Sequence, residues 1–170
     1  MSRWTIAHHC RTGQLIREFV GVYSVGHGQT SPLALADAAV LACGDRAVLS
    51  HDSAAARYGL RRWPHIPEIV SPLQHKRSGV RAHRSRTLTH ADVATRRGIR
   101  AMTLARTVAD IAPRLSDVQL IRVIHEARRN SDLPPAALAR LLADCSRAAR
   151  LVDPREARVR APSTTRSARC

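Results

Sequence analysis

Aromatic side chains are nearly absent. Trp4, Phe19, Tyr23, Tyr58 and Trp63 are the whole supply in 170 residues, 3% of the chain, so a core must come from Ala, Leu, Val and Ile within a hydrophobic fraction of 44%. No apolar run approaches the roughly 20 residues that span a bilayer. Met1-Ser2-Arg3-Trp4 also lacks the apolar stretch of a signal peptide, so a cytoplasmic location is expected. Cys10, Cys43, Cys145 and Cys170 are scattered without a CxxC pair, which gives no disulfide framework. Cys10 adjoins His8 and His9, but consecutive helical residues do not share a face and no second ligand pair is spaced to meet them. Neither a metal nor another cofactor is therefore expected.

Acidic residues are also few: 13 Asp and Glu face 28 Lys and Arg, for a net charge of +15. A surface of that sign attracts polyanions, above all nucleic acid. Only Lys76 among the basic residues is a lysine, and an Arg/Ala skew of that kind is also what a GC-rich genome writes by codon bias. Charge therefore needs support from local pattern.

The most informative stretch runs from Ala47 to Leu60. Ala47-Val48-Leu49 suits a short buried strand. Ser50 or Asp52 offers an N-cap, and the alanines from Ala54 have the highest helix propensity. Gly59 supplies a left-handed stop with Leu60 packing back beneath it. Strand, tight turn, short helix and stop form the hub of a small α+β domain.

Ahead of the hub, residues 1–13 read as a helix capped by Ser2, with Trp4, Ile6 and Cys10 facing inward and Arg3, Thr5, His8, His9, Arg11 and Thr12 outward. Residues 14–26 read as two strands joined near Glu18 to Gly21. A polar helix followed by a basic hairpin is the second half of a winged helix-turn-helix, in which the helix enters the major groove and the wing meets phosphates. The expected DNA contacts are Arg3, Thr5, His8, His9, Arg11 and Thr12 on the helix and Arg17 on the wing. Ser31 and Pro32 open a helix over 30–44 with Leu33, Ala36, Val40 and Cys43 inward.

Beyond the hub, the pattern gives strands at Glu68–Val70 and Gly79–His83, one helical turn at 89–93, and a hairpin through Arg96 to Met102. Thr103 caps a helix from Leu104 to about Ala112. Ser116 and Gln119 make a capping box for a helix to Asn130 that buries Val118, Ile121, Ile124 and the stem of Arg128. A last helix runs from Asp132 through Leu138, Leu141 and Leu142. The Arg-rich tail from Cys145 reads as disordered. The expected organisation is a partial winged helix (1–28), a mixed α+β domain (29–144) and a disordered basic tail (145–170).

No catalytic constellation stands out. His51, Asp52 and Ser53 are triad residue types, but adjacent positions cannot form nucleophile, base and orienter. Arg106 and Asp110 are spaced for a helical ion pair. Glu68 and Glu126 stand alone, and Lys76 lies in a loop, so a metal-dependent nuclease finds no support. A second basic group, His75, Lys76, Arg77, Arg81, Arg84 and Arg86, reads as a solvated face.

Three blocks carry a family resemblance: Gly21-Val22-Tyr23-Ser24-Val25-Gly26-His27, Ala47 to Ala55, and Thr103-Leu104-Ala105-Arg106-Thr107-Val108-Ala109-Asp110. In this order and spacing, over residues 1 to about 144, the chain resembles AbiEi-type antitoxins of type IV toxin–antitoxin systems. The resemblance implies a winged-helix DNA-binding unit before an α+β domain, repression of the protein's own promoter, and action against a nucleotidyltransferase-like toxin without a stable complex. Many such proteins continue into a Vsr-like endonuclease domain.

The family's winged helix has further helices ahead of its recognition helix, whereas this chain has only the last, and Ile99-Arg100-Ala101-Met102 stands where Ile-Pro is common. The expectation is a truncated member, with a late gene start and a frameshift near Ser146. The leading function is a non-enzymatic, DNA-binding antitoxin and autorepressor acting on double-stranded promoter DNA. The alternatives are the non-catalytic front half of a Vsr-like endonuclease-domain protein, or a protein–protein module that binds a toxin.

Overall fold

The computed structural model describes residues 2–28, 31–96, 98–131, 142 and 145–152. The fold is mixed α+β. Helix α1 (Arg3–Arg11) begins where Ser2 accepts the backbone N–H of Thr5, and Gly13 beyond it takes a φ of 75°. Strands β1 (Leu15–Phe19) and β2 (Val22–Val25) follow as an antiparallel hairpin turning at Val20-Gly21. Phe19 at the end of β1 is buried in the same core as α2, which ties the opening segment to the body.

Helix α2 (Pro32–Cys43) has Ser31 at its N-cap and proline in its first turn, where the missing N–H costs nothing. Of its expected inward positions Ala36, Val40 and Cys43 are buried and Leu33 is half-buried against the same core; Ala38, Ala39 and Ala42 are buried too, because small side chains let the helix lie close to the sheet. The hub forms strand β3 (Val48–Leu49) and helix α3 (His51–Arg57). Strand β3 is the middle strand of a five-stranded sheet ordered β5-β4-β3-β7-β6, completed by β4 (Glu68–Ser71), β5 (Arg81–Arg84), β6 (Val93–Arg96) and β7 (Ile99–Met102). It pairs antiparallel with β4 and parallel with β7, which explains its full burial.

Helix α3 stops as its sequence demands. The N–H of Leu60 bonds the carbonyl of Ala55 and that of Gly59 the carbonyl of Ala56, with Gly59 at a φ of 72°. This is a Schellman closure. A Cβ at Gly59 would stand 2.9 Å from Asn130 Nδ2, the end of an exposed side chain that can move aside, so it is the φ that calls for glycine. Tyr58 donates its hydroxyl proton to the Met102 carbonyl, joining the end of α3 to β7.

Helices α4 (Leu104–Ile111) and α5 (Asp117–Asn130) build a second core with Ala55 and Leu60, and the Ser116/Gln119 capping box closes as expected. The buried stripe of α5 differs from the sequence expectation. Leu120, Val123, Ile124 and Ala127 face in, while Val118 is 62% and Ile121 37% exposed and Arg128 lies outside. Of the expected set only Ile124 is buried. Leu120 supplies the missing anchor: a stripe through 120, 123, 124 and 127 keeps the spacing of one helix face and turns it toward α4.

The tail does not lose order at Cys145. Residues Ser146–Val152 form helix α6, whose Ala148 is fully buried and whose Arg147 donates to Asp117 Oδ1 and the Ala112 carbonyl. A count of large aliphatics underrates this segment, because an alanine and an arginine anchor it. Leu142 is buried. The rest of the expected last helix, and the tail from 153, lie outside the described residues.

Two substitutions test the α5 stripe. Leu120→Ala removes a fully buried side chain and is expected to cost about 2–5 kcal/mol, whereas Val118→Ala is expected to stay within about 0.5 kcal/mol. Chemical denaturation of both variants measures the difference, and a larger loss at Val118 would restore the original stripe.

Candidate functional site

The structure spreads the seven expected DNA-contact residues over different environments. Arg3, His8, Arg11 and Arg17 are exposed. Thr5 is half-buried, with its hydroxyl bonded to Ser2 Oγ at 2.8 Å. His9 is half-buried and bonds Gln14 Oε1 through Nδ1. Thr12 is exposed, but its hydroxyl donates to the carbonyls of His8 and His9 and so closes the helix. Thr5, Ile6, His9 and Cys10 therefore make the inner side of α1, and Arg3, Trp4, Ala7, His8 and Arg11 the outer one.

Trp4 corrects the sequence reading. It was expected to face inward and instead is 87% exposed, on the same face as Arg3 and Arg11. Helical spacing carried the signal: Trp4 lies on the arc that holds Arg3, Ala7, His8 and Arg11, opposite Ile6 and Cys10. Beside this face a groove floored by Ile6, Ala7, Cys10, Leu15 and Tyr23 brings Arg3 of α1 and Arg17 of β1 together. Among the described residues Arg3, Arg11 and Arg17 make no ion pair, and the sole acid of residues 1–28, Glu18, bonds Ser24 Oγ at 2.8 Å.

A second cluster centres on Glu68, which does not stand alone. It is 1% exposed on β4, and its carboxylate accepts from His83 Nε2 at 2.7 Å, Arg81 Nη1 at 3.2 Å and Arg114 Nη1 at 3.1 Å. Parallel pairing puts Glu68 opposite Arg81 and Val70 opposite His83, so Glu68, Arg81 and His83 leave one face of the sheet. The N–H of Glu68 donates to Ser53 Oγ at 2.8 Å, tying β4 to α3. Arg114 arrives from the turn after α4 and also lies 4.0 Å from Asp52, itself paired with Arg61 at 2.8 Å.

His51 completes the cluster. Its ring stacks on that of His83 with centroids 3.9 Å apart, and its Nδ1 lies 3.0 Å from Ser50 Oγ, the contact within its own turn that its position implies. It takes a φ of 47°, the only positive φ at a non-glycine among the described residues. For an L side chain that conformation costs roughly 1–2 kcal/mol. The ligand atoms of His51, Glu68 and His83 lie within 4.8 Å of one another. Sequence reasoning missed this group, although one signal was present: a glutamate within an apolar strand must find partners, and Arg81 and His83 alternate on the neighbouring strand.

Burial acts to raise the Glu68 carboxyl, but the His83 and Arg114 hydrogen bonds and the Arg114 charge outweigh it and hold the pKa below its ordinary value. Burial, then the adjacent His83, pushes His51 down, so it is held neutral. Elsewhere Arg106 bonds Asp110 at 2.9 Å as spaced, and also reaches Asp92 at 3.6 Å. Of the second basic group, Arg81 belongs to the Glu68 cluster, His75 bonds Ser71 Oγ, and Arg84 reaches the Pro72 carbonyl.

No protein-family model matches the chain, and no curated protein matches it. Among solved structures it is similar to the Rv2827c protein of Mycobacterium tuberculosis, at 18% identity and a TM-score of 0.47, over 88% of this chain and 68% of that one. No helix among the described residues is long and apolar enough to cross a membrane.

The cluster has a definite pH signature. With the Glu68 pKa depressed in the fold, its contribution to stability is complete above the unfolded value of 4.5 and disappears as pH falls below it. His51, also depressed, contributes fully above 6.5 and loses that contribution as pH drops from there. Glu68→Gln is expected to cost about 1–3 kcal/mol at neutral pH and to flatten the acid limb below 4.5 while leaving the limb below 6.5. Thermal melts across pH read both limbs, and an unchanged acid limb in Glu68→Gln would show that the fold does not hold the Glu68 pKa below its ordinary value.

Proposed function

We propose that the chain is a DNA-binding regulator of the AbiEi antitoxin type, a non-enzymatic autorepressor that grips its own promoter with α1 and the β1–β2 hairpin as a partial winged helix. In this reading it counters a nucleotidyltransferase-like toxin without forming a stable complex with it. The observation that carries the reading is the outer face of α1, where Arg3, Trp4, His8 and Arg11 stand exposed with no acid on the helix.

The dimensions suit a duplex. Nine helical residues extend about 14 Å, comparable to the major-groove width of about 12 Å. Arg3 and Arg11 have forked donors that suit guanine O6 and N7, while the indole of Trp4 offers an apolar surface to thymine methyl groups or sugar. Arg17, on the strand beside the helix, is placed for a phosphate, which fixes register without reading sequence. Thr5 and Thr12 drop out as base readers because their hydroxyls already serve the ends of α1.

Fluorescence anisotropy with the duplex upstream of the gene and with an unrelated duplex, across a salt series, tests this. The expected outcome is tighter binding to the upstream duplex that persists as salt rises. Arg11→Ala should narrow the discrimination by about 1–3 kcal/mol, and Arg17→Ala should weaken both duplexes alike and lower the salt slope by about 1. Equal affinities that vanish together with salt would reduce the interaction to non-specific charge.

A further inference from the structure

Glu68 and two histidines beside it invite a metal ion, and two arginines oppose it. His51, Glu68 and His83 offer ligand atoms within 4.8 Å of one another. However, the carboxylate already holds Arg81 and Arg114, whose guanidiniums do not deprotonate, so a divalent cation would enter beside two fixed positive charges. The two imidazoles are also stacked, 27° from parallel, so their ring edges run side by side instead of converging on one point as a tetrahedral ion requires. The electrostatics favour the opposite guest.

We propose that Arg81 and Arg114 form a binding site for a phosphate oxyanion, with the buried Glu68 as the internal anchor that holds the two guanidiniums together. Both Nη1 atoms lie within 3.4 Å of Glu68 Oε1, so two like charges that would separate in water are kept as neighbours. Each arginine reaches the anchor through Nη1, which leaves its Nε and Nη2 donors for a ligand. Those side chains are 57% and 39% exposed, whereas the carboxylate is 1% exposed. An incoming anion therefore meets exposed donors, while the acid is closed to solvent.

The local charge agrees. One carboxylate faces two guanidiniums; Asp52 lies 4.0 Å from Arg114 but closer to Arg61, at 2.8 Å. His83, on the same strand as Arg81 and 25% exposed, already gives its Nε2 to Glu68 and so belongs to the anchor. Because the forks are already oriented, binding loses less side-chain freedom than at an unpaired arginine. This site is separate from the α1 face and does not depend on that face reading DNA. The phosphate oxyanion can come from a nucleic-acid backbone or from a free phosphate.

The test follows arginine Nε–H resonances by NMR while inorganic phosphate replaces chloride at constant ionic strength, with duplex binding measured in parallel. The expected result is a saturable shift at Arg81 and Arg114 with none at Arg3 and Arg11, weakened at least fivefold in Arg81→Gln and partly restored in Arg81→Lys. Arg81 is largely exposed, so a melting curve will show whether its variants remain folded. A fall in duplex affinity and salt slope in Arg81→Gln, with Arg3 and Arg11 intact, would identify a nucleic-acid backbone as the source. The phosphate shift with unchanged duplex binding would identify a free phosphate. Equal shifts at every arginine, or no saturable shift, would overturn the proposal, as would Zn2+ binding that is lost in His83→Ala.

Discussion

A carboxylate buried to 1% exposure in the second strand of a five-stranded sheet is the constraint on which the arrangement of the body turns. An ionised group there is tolerable only if its lone pairs are filled, and Glu68 fills them from separate parts of the chain. Arg81 and His83 come from β5, the edge strand, and Arg114 from the turn leaving α4. The backbone of the same residue is held by Ser53 in α3. One side chain therefore fixes the edge strand against the sheet and the exit of α4 against its face. The apolar residues around it, such as Ile69 and Leu49, contribute packing, whereas this carboxylate needs particular partners at particular distances.

This division between apolar packing and polar addressing decides what could be read in the chain. Signals that act within a turn were legible: Pro32 after Ser31, the Ser116/Gln119 box, and Gly59 followed by Leu60 each specify their own geometry. So was the central place of Ala47 to Leu60, because a short, fully apolar strand belongs inside a sheet. What was not legible depends on distant partners. Val118 and Leu120 are both apolar and near one end of α5, and only the direction of α4 decides which is buried. Ala148 is no hydrophobic landmark, yet it seats α6 in the core that α4 and α5 build.

The candidate sites divide in the same way. The basic face of α1 was legible because helical spacing is local, though its inner and outer arcs were drawn with Trp4 on the wrong side. The Glu68 cluster was not legible, since Arg114 is 46 residues away in sequence, with β5, β6, β7 and α4 lying between the two along the chain. Nothing in the local sequence around Arg114 separates it from the other arginines.

The distribution of acids gives this basic chain two kinds of positive surface. Asp52, Glu68, Asp92, Asp110, Asp117 and Glu126 each face an arginine within 4.0 Å, and all belong to the body behind the hairpin. Arg3, Arg11 and Arg17 have no such partner among the described residues, so their charge reaches solvent at full strength and is the more readily screened. At Arg81 and Arg114 the reverse holds: a carboxylate beneath them cancels part of the charge but fixes the donors. The first surface adds a long-range attraction that salt screens to whatever its exposed forks contact directly, whereas at the second the grip is short-range and geometric.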